Sequence, residues 1–175
     1  MNKVILLVFV FSGLLFAACD FESGSNFTPA IYLTEPPLKN GKDSIRVLYT
    51  KDAGVYKTDT IFVGDTIFFK IYADGYANNL TALLLKQSEN EITKLEYPDT
   101  SEFDKFFLAG SDYAKGEFLT KGDYLSLYFP FYYIALKPGL DARLKISVMS
   151  DAKFDSFIGS NTKTIEIITP IRAKN

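Results

Sequence analysis

Apolar side chains recur at every second position in three stretches of this chain, the spacing expected of strands with one buried face. Ile45, Val47 and Tyr49 alternate with Arg46, Leu48 and Thr50. Ile67, Phe69, Ile71 and Ala73 alternate with Phe68, Lys70 and Tyr72, and Ala142, Leu144, Ile146 and Val148 alternate with Arg143, Lys145, Ser147 and Met149. Shorter runs predict further strands over 60–63, 80–86, 93–97, 124–129, 131–136 and 164–169, separated by Gly, Asp, Asn and Pro. Many short strands with turn residues between them predict an all-β sandwich. A minor helix between Glu102 and Leu108 would leave that class unchanged.

The first residues follow another pattern. Lys3 precedes an apolar stretch from Val4 to Leu15, broken by Ser12 and Gly13, and the small pair Ala17-Ala18 stands before Cys19. This is the layout of a signal peptide. A helix from Val4 to Ala18 would reach only about 22 Å at ~1.5 Å per residue, short of a hydrocarbon core of about 30 Å. Leu15-Phe16-Ala17-Ala18-Cys19 resembles the lipobox of bacterial lipoproteins, with Cys19 at the invariant position and Phe16 where the family prefers Leu. The resemblance implies lipidation of Cys19 and a firm anchor in a membrane, since two or more acyl chains together hold a protein to a bilayer. The expected organisation is a lipoprotein signal peptide over 1–18, a flexible tether over 19–30 rich in small and polar residues, and one β-sandwich domain over 31–175. The expected location is the outer membrane or cell surface, with the periplasmic face as the alternative.

Two further stretches carry a resemblance. Asp59-Thr60-Ile61-Phe62-Val63-Gly64-Asp65-Thr66, leading into the alternation of Ile67 to Ala73, is similar to the opening two strands of bacterial immunoglobulin-like modules. Pro138-Gly139-Leu140-Asp141-Ala142 and the alternation after it look like that family's penultimate strand, with Ile165 to Thr169 as the last. The resemblance implies an immunoglobulin-like antiparallel β-sandwich. It also resembles the domains of Bacteroidetes-type envelope lipoproteins, many of which are surface components of uncharacterised role. It implies no particular activity. The tryptophan and disulfide of antibody-type domains are absent, since the chain has no Trp and one Cys.

Composition narrows the chemistry. There is no histidine, which removes Ser-His-Asp and Cys-His nucleophile systems and His-bearing zinc sites. No P-loop, dinucleotide fingerprint or nucleophile elbow is present. A pair of carboxylates could still hydrolyse a glycan, but none of the acidic residues stands out from its turn or strand setting. Asp151 and Asp155 could contribute oxygens to calcium, yet no Asp-x-Asp-x-Asp-Gly array accompanies them, so no metal or other cofactor is expected. With 19 basic and 21 acidic residues and a net charge of −2, the chain lacks the basic excess of a nucleic-acid binder.

If 66–73, 80–86, 142–149 and 164–169 serve as strands B, C, F and G, the B–C and F–G loops share one end of the sandwich. That placement would gather Asp74, Tyr76, Asn78 and Asn79 near Asp151, Phe154, Asp155 and Phe157 as candidate ligand loops for a sugar or protein. The competing account has the aromatics capping the core and the polar groups making turns. The aromatic run Tyr128-Phe129-Pro130-Phe131-Tyr132-Tyr133 invites a stacking-platform reading, but its apolar neighbours favour core packing, with Pro130 marking an edge or bulge. Asp43-Ser44-Ile45, Asp59-Thr60-Ile61 and Asp65-Thr66-Ile67 resemble the O-glycosylation sites of Bacteroidetes-type exported proteins, which implies Ser44, Thr60 and Thr66 as candidate acceptors.

The expectation from sequence is therefore a non-catalytic, lipid-anchored binding or adhesion module for a protein or glycan partner. The alternatives are a structural spacer within an envelope complex and a carboxylate-dependent glycan hydrolase.

Overall fold

The structure, a computed structural model, describes residues 27–50, 52–88, 91–98, 100–154 and 159–174. Thirteen strands are present among them: β1 Ala30–Leu33, β2 Leu38–Lys39, β3 Asp43–Ser44, β4 Val47–Tyr49, β5 Val55–Thr58, β6 Ile61–Phe62, β7 Thr66–Asp74, β8 Leu80–Gln87, β9 Thr93–Glu96, β10 Glu117–Leu119, β11 Ser126–Ala135, β12 Gly139–Ser150 and β13 Thr162–Arg172. Two 3-10 turns, Thr100–Lys105 and Tyr113–Lys115, lie between β9 and β10. No helix among the described residues is long and apolar enough to cross a membrane.

One sheet has the order β3-β2-β7-β11-β9, with β1 pairing β7 beyond β2; the other has the order β10-β8-β12-β13-β5-β4, with β6 also on β13. The ladders are antiparallel except that β5 and β6 run parallel to β13. Taking β1 and β2 as A, β7 as B, β11 as E and β9 as D gives the A-B-E-D sheet of immunoglobulin domains, and β8, β12 and β13 give C-F-G. The chain is thus an all-β, immunoglobulin-like sandwich. Between D and E it makes an extra excursion to place β10 on the free edge of β8.

The alternation seen in sequence decides which face is buried. Ile67, Phe69, Ile71 and Ala73 of β7 and Leu127, Phe129, Phe131 and Tyr133 of β11 face Leu144, Ile146 and Val148 of β12 and Ile165, Ile167 and Ile171 of β13, all buried. Burial of such side chains stabilises by roughly 1.5–3 kcal/mol each before entropy is subtracted. Near the short strands β9 and β10 aromatic rings complete the core. Phe129 lies 4.7 Å from Phe118 and 4.9 Å from Phe103 between ring centroids. Gly116 lets β10 dock there, because a Cβ at its φ of +67° would meet the Leu85 carbonyl oxygen at 2.3 Å.

Two local readings change. The run from Ile45 to Tyr49 is not one strand: β3 belongs to the first sheet and β4 to the second, and the chain crosses between them at Ile45 and Arg46. The Ile45 N–H donates to the Pro37 carbonyl, and Arg46 is held by Asp59, which receives its N–H at 3.1 Å and its guanidinium at 3.2 Å. Pro130, by contrast, does not break its strand. It pairs across to Lys70 of β7, while β9 covers only Tyr132–Ala135 on the other side, so β11 has a ladder on one side alone at the proline.

Candidate functional site

The β7–β8 and β12–β13 loops do share one end of the sandwich, because β8 and β12 are antiparallel neighbours with Leu80 opposite Ser150. Asp151 Oδ1 accepts the Asn79 N–H at 2.8 Å and the Asp151 N–H donates to the Asn79 carbonyl at 3.0 Å. Asp74 Oδ1 accepts the Tyr76 N–H at 2.7 Å, fixing Tyr76 at a φ of +58°. Asn78 is buried and its Nδ2 donates to the Gly75 carbonyl. Phe154 is half-buried beside this loop pair in sequence, while Asp155 and Phe157 lie outside the described residues. The described polar groups of these loops therefore build the turns, and among the described loop residues Tyr76 presents its ring outward.

Tyr76 does not stand alone. Its hydroxyl lies 3.3 Å from that of Tyr32, a hydrogen bond that, ahead of burial, raises the Tyr76 phenol above its ordinary pKa. Its ring is 5.7 Å from Phe27. From there a tier of rings crosses the outer face of the first sheet in register, Tyr32 opposite Tyr72 opposite Tyr128. Centroids are 6.2 Å apart for the first pair and 4.8 Å for the second. Tyr128 keeps 61% of its surface exposed and Tyr32 48%.

Four residues along β7 a second tier repeats the pattern. Leu38, Phe68 and Tyr132 are opposite one another on β2, β7 and β11, with Phe68 and Tyr132 at 5.1 Å. With Asn40, Gly41 and Thr66 they line a concavity of 310 Å³. Its polar rim is firmly built: Asn40 Oδ1 accepts the Thr66 N–H and Asn40 Nδ2 donates to Asp65 Oδ1, each at 2.9 Å, and Asp65 Oδ2 accepts the Phe62 N–H at 3.0 Å. Burial pushes the Asp65 carboxyl up, but the Asn40 and Phe62 donors outweigh it and hold it below the usual carboxylate range. Between the tiers Lys70 reaches Glu35 at 3.4 Å and lies 5.4 Å from the centre of the Tyr128 ring.

The run 128–133 is therefore divided by parity. Phe129, Phe131 and Tyr133 pack the core, whereas Tyr128 and Tyr132 face outward with Phe68 and Tyr72. The sequence reading took the whole run as core and so missed this face. The signal present was apolar residues at both parities of β7 and β11, more than a one-sided strand requires.

A larger groove, of 720 Å³, runs between Ile31 and Leu33 on one side and Val47, Leu48 and Tyr56 on the other. It is the seam left where β3 and β4 part to opposite sheets. Of the candidate glycosylation residues, Ser44 and Thr60 are exposed and Thr66 is half-buried at the concavity. Cys19 and the signal segment lie outside the described residues. Among those described, no three Asp, Glu, Cys or His side chains gather to hold a metal ion.

No family model and no curated protein matches the chain. Among solved structures, domains 4 and 5 of the S-layer protein SbsC are similar to it with a TM-score of 0.32 and 12% identity, over 77% of this chain and 53% of that one.

Proposed function

We propose that the protein is an exported lipoprotein, anchored through Cys19, whose sandwich is a non-catalytic binding module that makes contact through the outer face of the β7–β11 sheet. The observation that carries this reading is the pair of aromatic tiers there. Contiguous apolar surface on a protein's outside marks an interaction site, and tyrosine is enriched at such sites because it is apolar in body and polar at the tip. The sandwich core does not need these rings, since the inner face is already filled.

Tyrosine nitration of the protein on intact cells of its native host, compared with the purified chain, tests the contact face. Tyr32 and Tyr128 should be protected on cells, while Tyr49, 61% exposed on β4 of the other sheet, should label equally in both. Equal labelling of all three would remove the reading. For the anchor, labelled fatty acid should enter the wild type and not Cys19→Ala; equal incorporation would exclude lipidation there.

A further inference from the structure

Resting on the assignment of this face as the contact surface, we infer that its ligand is a neutral oligosaccharide of several sugar units, lying along β7 and β11 from the Phe68–Tyr132 concavity to the Tyr72–Tyr128 pair. The argument starts from spacing. Phe68 and Tyr72 are four residues apart on one strand, about 13 Å at ~3.3 Å per residue, and a ring from β11 accompanies each. That separation exceeds one sugar ring, so a single ligand touching both tiers must be a chain. The concavity, with an aromatic floor and a polar rim at Thr66, has the make-up of a small-ligand site. Sugar rings match it because their C–H faces pack on aromatic rings while their hydroxyls meet phenol and threonine hydroxyls.

Charge selects against other ligands. Lys70 is paired with Glu35 at 3.4 Å, and Lys94 with Glu96 at 2.7 Å, on this same face. Their fields cancel locally, leaving little to attract an anionic polymer or to steer a charged protein partner. Strand addition is closed along β7, which is flanked by β1 and β2 on one side and β11 on the other, so a ligand seated over β7 meets side chains. The sheet's unladdered edge is the Ser126–Phe131 part of β11, beyond the rings.

The test uses linear neutral hexasaccharides of glucose, xylose and mannose, with the corresponding disaccharides and an anionic uronate hexasaccharide as contrasts. Binding is read by calorimetry and by tyrosine fluorescence, which is undisturbed because the chain has no Trp. At least one neutral hexasaccharide should bind, its disaccharide at least about tenfold more weakly, and the uronate not detectably. Tyr72→Ala and Tyr128→Ala should each weaken binding by about tenfold or more with an unchanged circular dichroism spectrum. Leu140→Ala, exposed on β12 of the other sheet, should not. Preference for the uronate, or binding indifferent to both tyrosine variants, would overturn the inference. Protection of the face on cells combined with no binding to any neutral hexasaccharide would also overturn it, pointing to a protein partner while leaving the contact face intact.

Discussion

Asn79 and Asp151 clasp each other: Asp151 Oδ1 and Oδ2 accept the Asn79 N–H at 2.8 Å and Nδ2 at 3.3 Å, and the Asp151 N–H donates back to the Asn79 carbonyl at 3.0 Å. The carboxylate that could have met a ligand at the loop end instead ties the β7–β8 loop to the β12–β13 loop. Asp151→Ala should therefore cost stability, about 1 kcal/mol given its exposure, read as a lower urea midpoint. Ligand binding at the aromatic tiers should be unchanged. Unaltered stability with lost binding would move the functional site to the loops.

Adjacent residues of β11 should behave in opposite ways. Phe129 sits among Phe118, Phe103, Phe107 and Tyr97 with no exposed surface, so Phe129→Ala should cost about 3–5 kcal/mol. Among the described residues the Tyr128 ring meets Tyr72 and Lys70 on the outer face, and Tyr128→Ala should cost less than about 1 kcal/mol. Denaturant midpoints at equal slope would measure both. Similar losses would mean that the outer tier is structural.

The contrast also shows what was legible in the sequence. β7, β12 and β13 announced themselves because polar or charged residues such as Lys70, Arg143 and Lys145 mark their outer faces. The B, C, F and G assignment followed from those strands and placed Asn79 beside Asp151 correctly. The split at Ile45 and Arg46 was hidden, since period two is unaffected by a strand changing sheets. Pro130 marks an edge, as its lack of an N–H suggests, since β11 has a ladder on one side only there; what the sequence hid is that the strand continues through it from Ser126 to Ala135. The outer tiers were hidden for another reason: when Tyr128 and Phe129, or Tyr72 and Ile71, are both apolar, periodicity cannot say which member faces water.

Asp65 should give the fold part of its acid sensitivity. Burial works against its charge, but donors from Asn40 and Phe62 prevail and its pKa is lowered in the folded state. A carboxyl with a lowered folded pKa contributes stability that is fully present above its unfolded value of about 3.9 and is lost as pH falls through the folded value. Both oxygens accept, so Asp65→Asn turns an amino group toward a donor and should cost about 1–3 kcal/mol near neutrality. Stability measured against pH should then fall less steeply in acid for the variant than for the wild type. Parallel curves would show that Asp65 is not the group responsible.

Tyr133 and Thr169 invite a change in the other direction. The Tyr133 hydroxyl and Thr169 Oγ1 are buried with no hydrogen-bond partner of normal geometry among the described residues, and burial pushes the Tyr133 phenol up to about 12, the neighbouring Thr93 and Thr169 hydroxyls countering it in part. A buried polar atom without a partner keeps its desolvation cost, and exchanging both groups for apolar ones of the same shape is neutral or stabilising. The double variant Tyr133→Phe, Thr169→Val should accordingly be at least as stable as the wild type by thermal and urea unfolding. The alternative is a trapped water bridging the two hydroxyls, in which case each single variant would lose about 1 kcal/mol and the pair would couple. A double-mutant cycle separates these outcomes, because only the bridged pair gives an interaction energy of appreciable size.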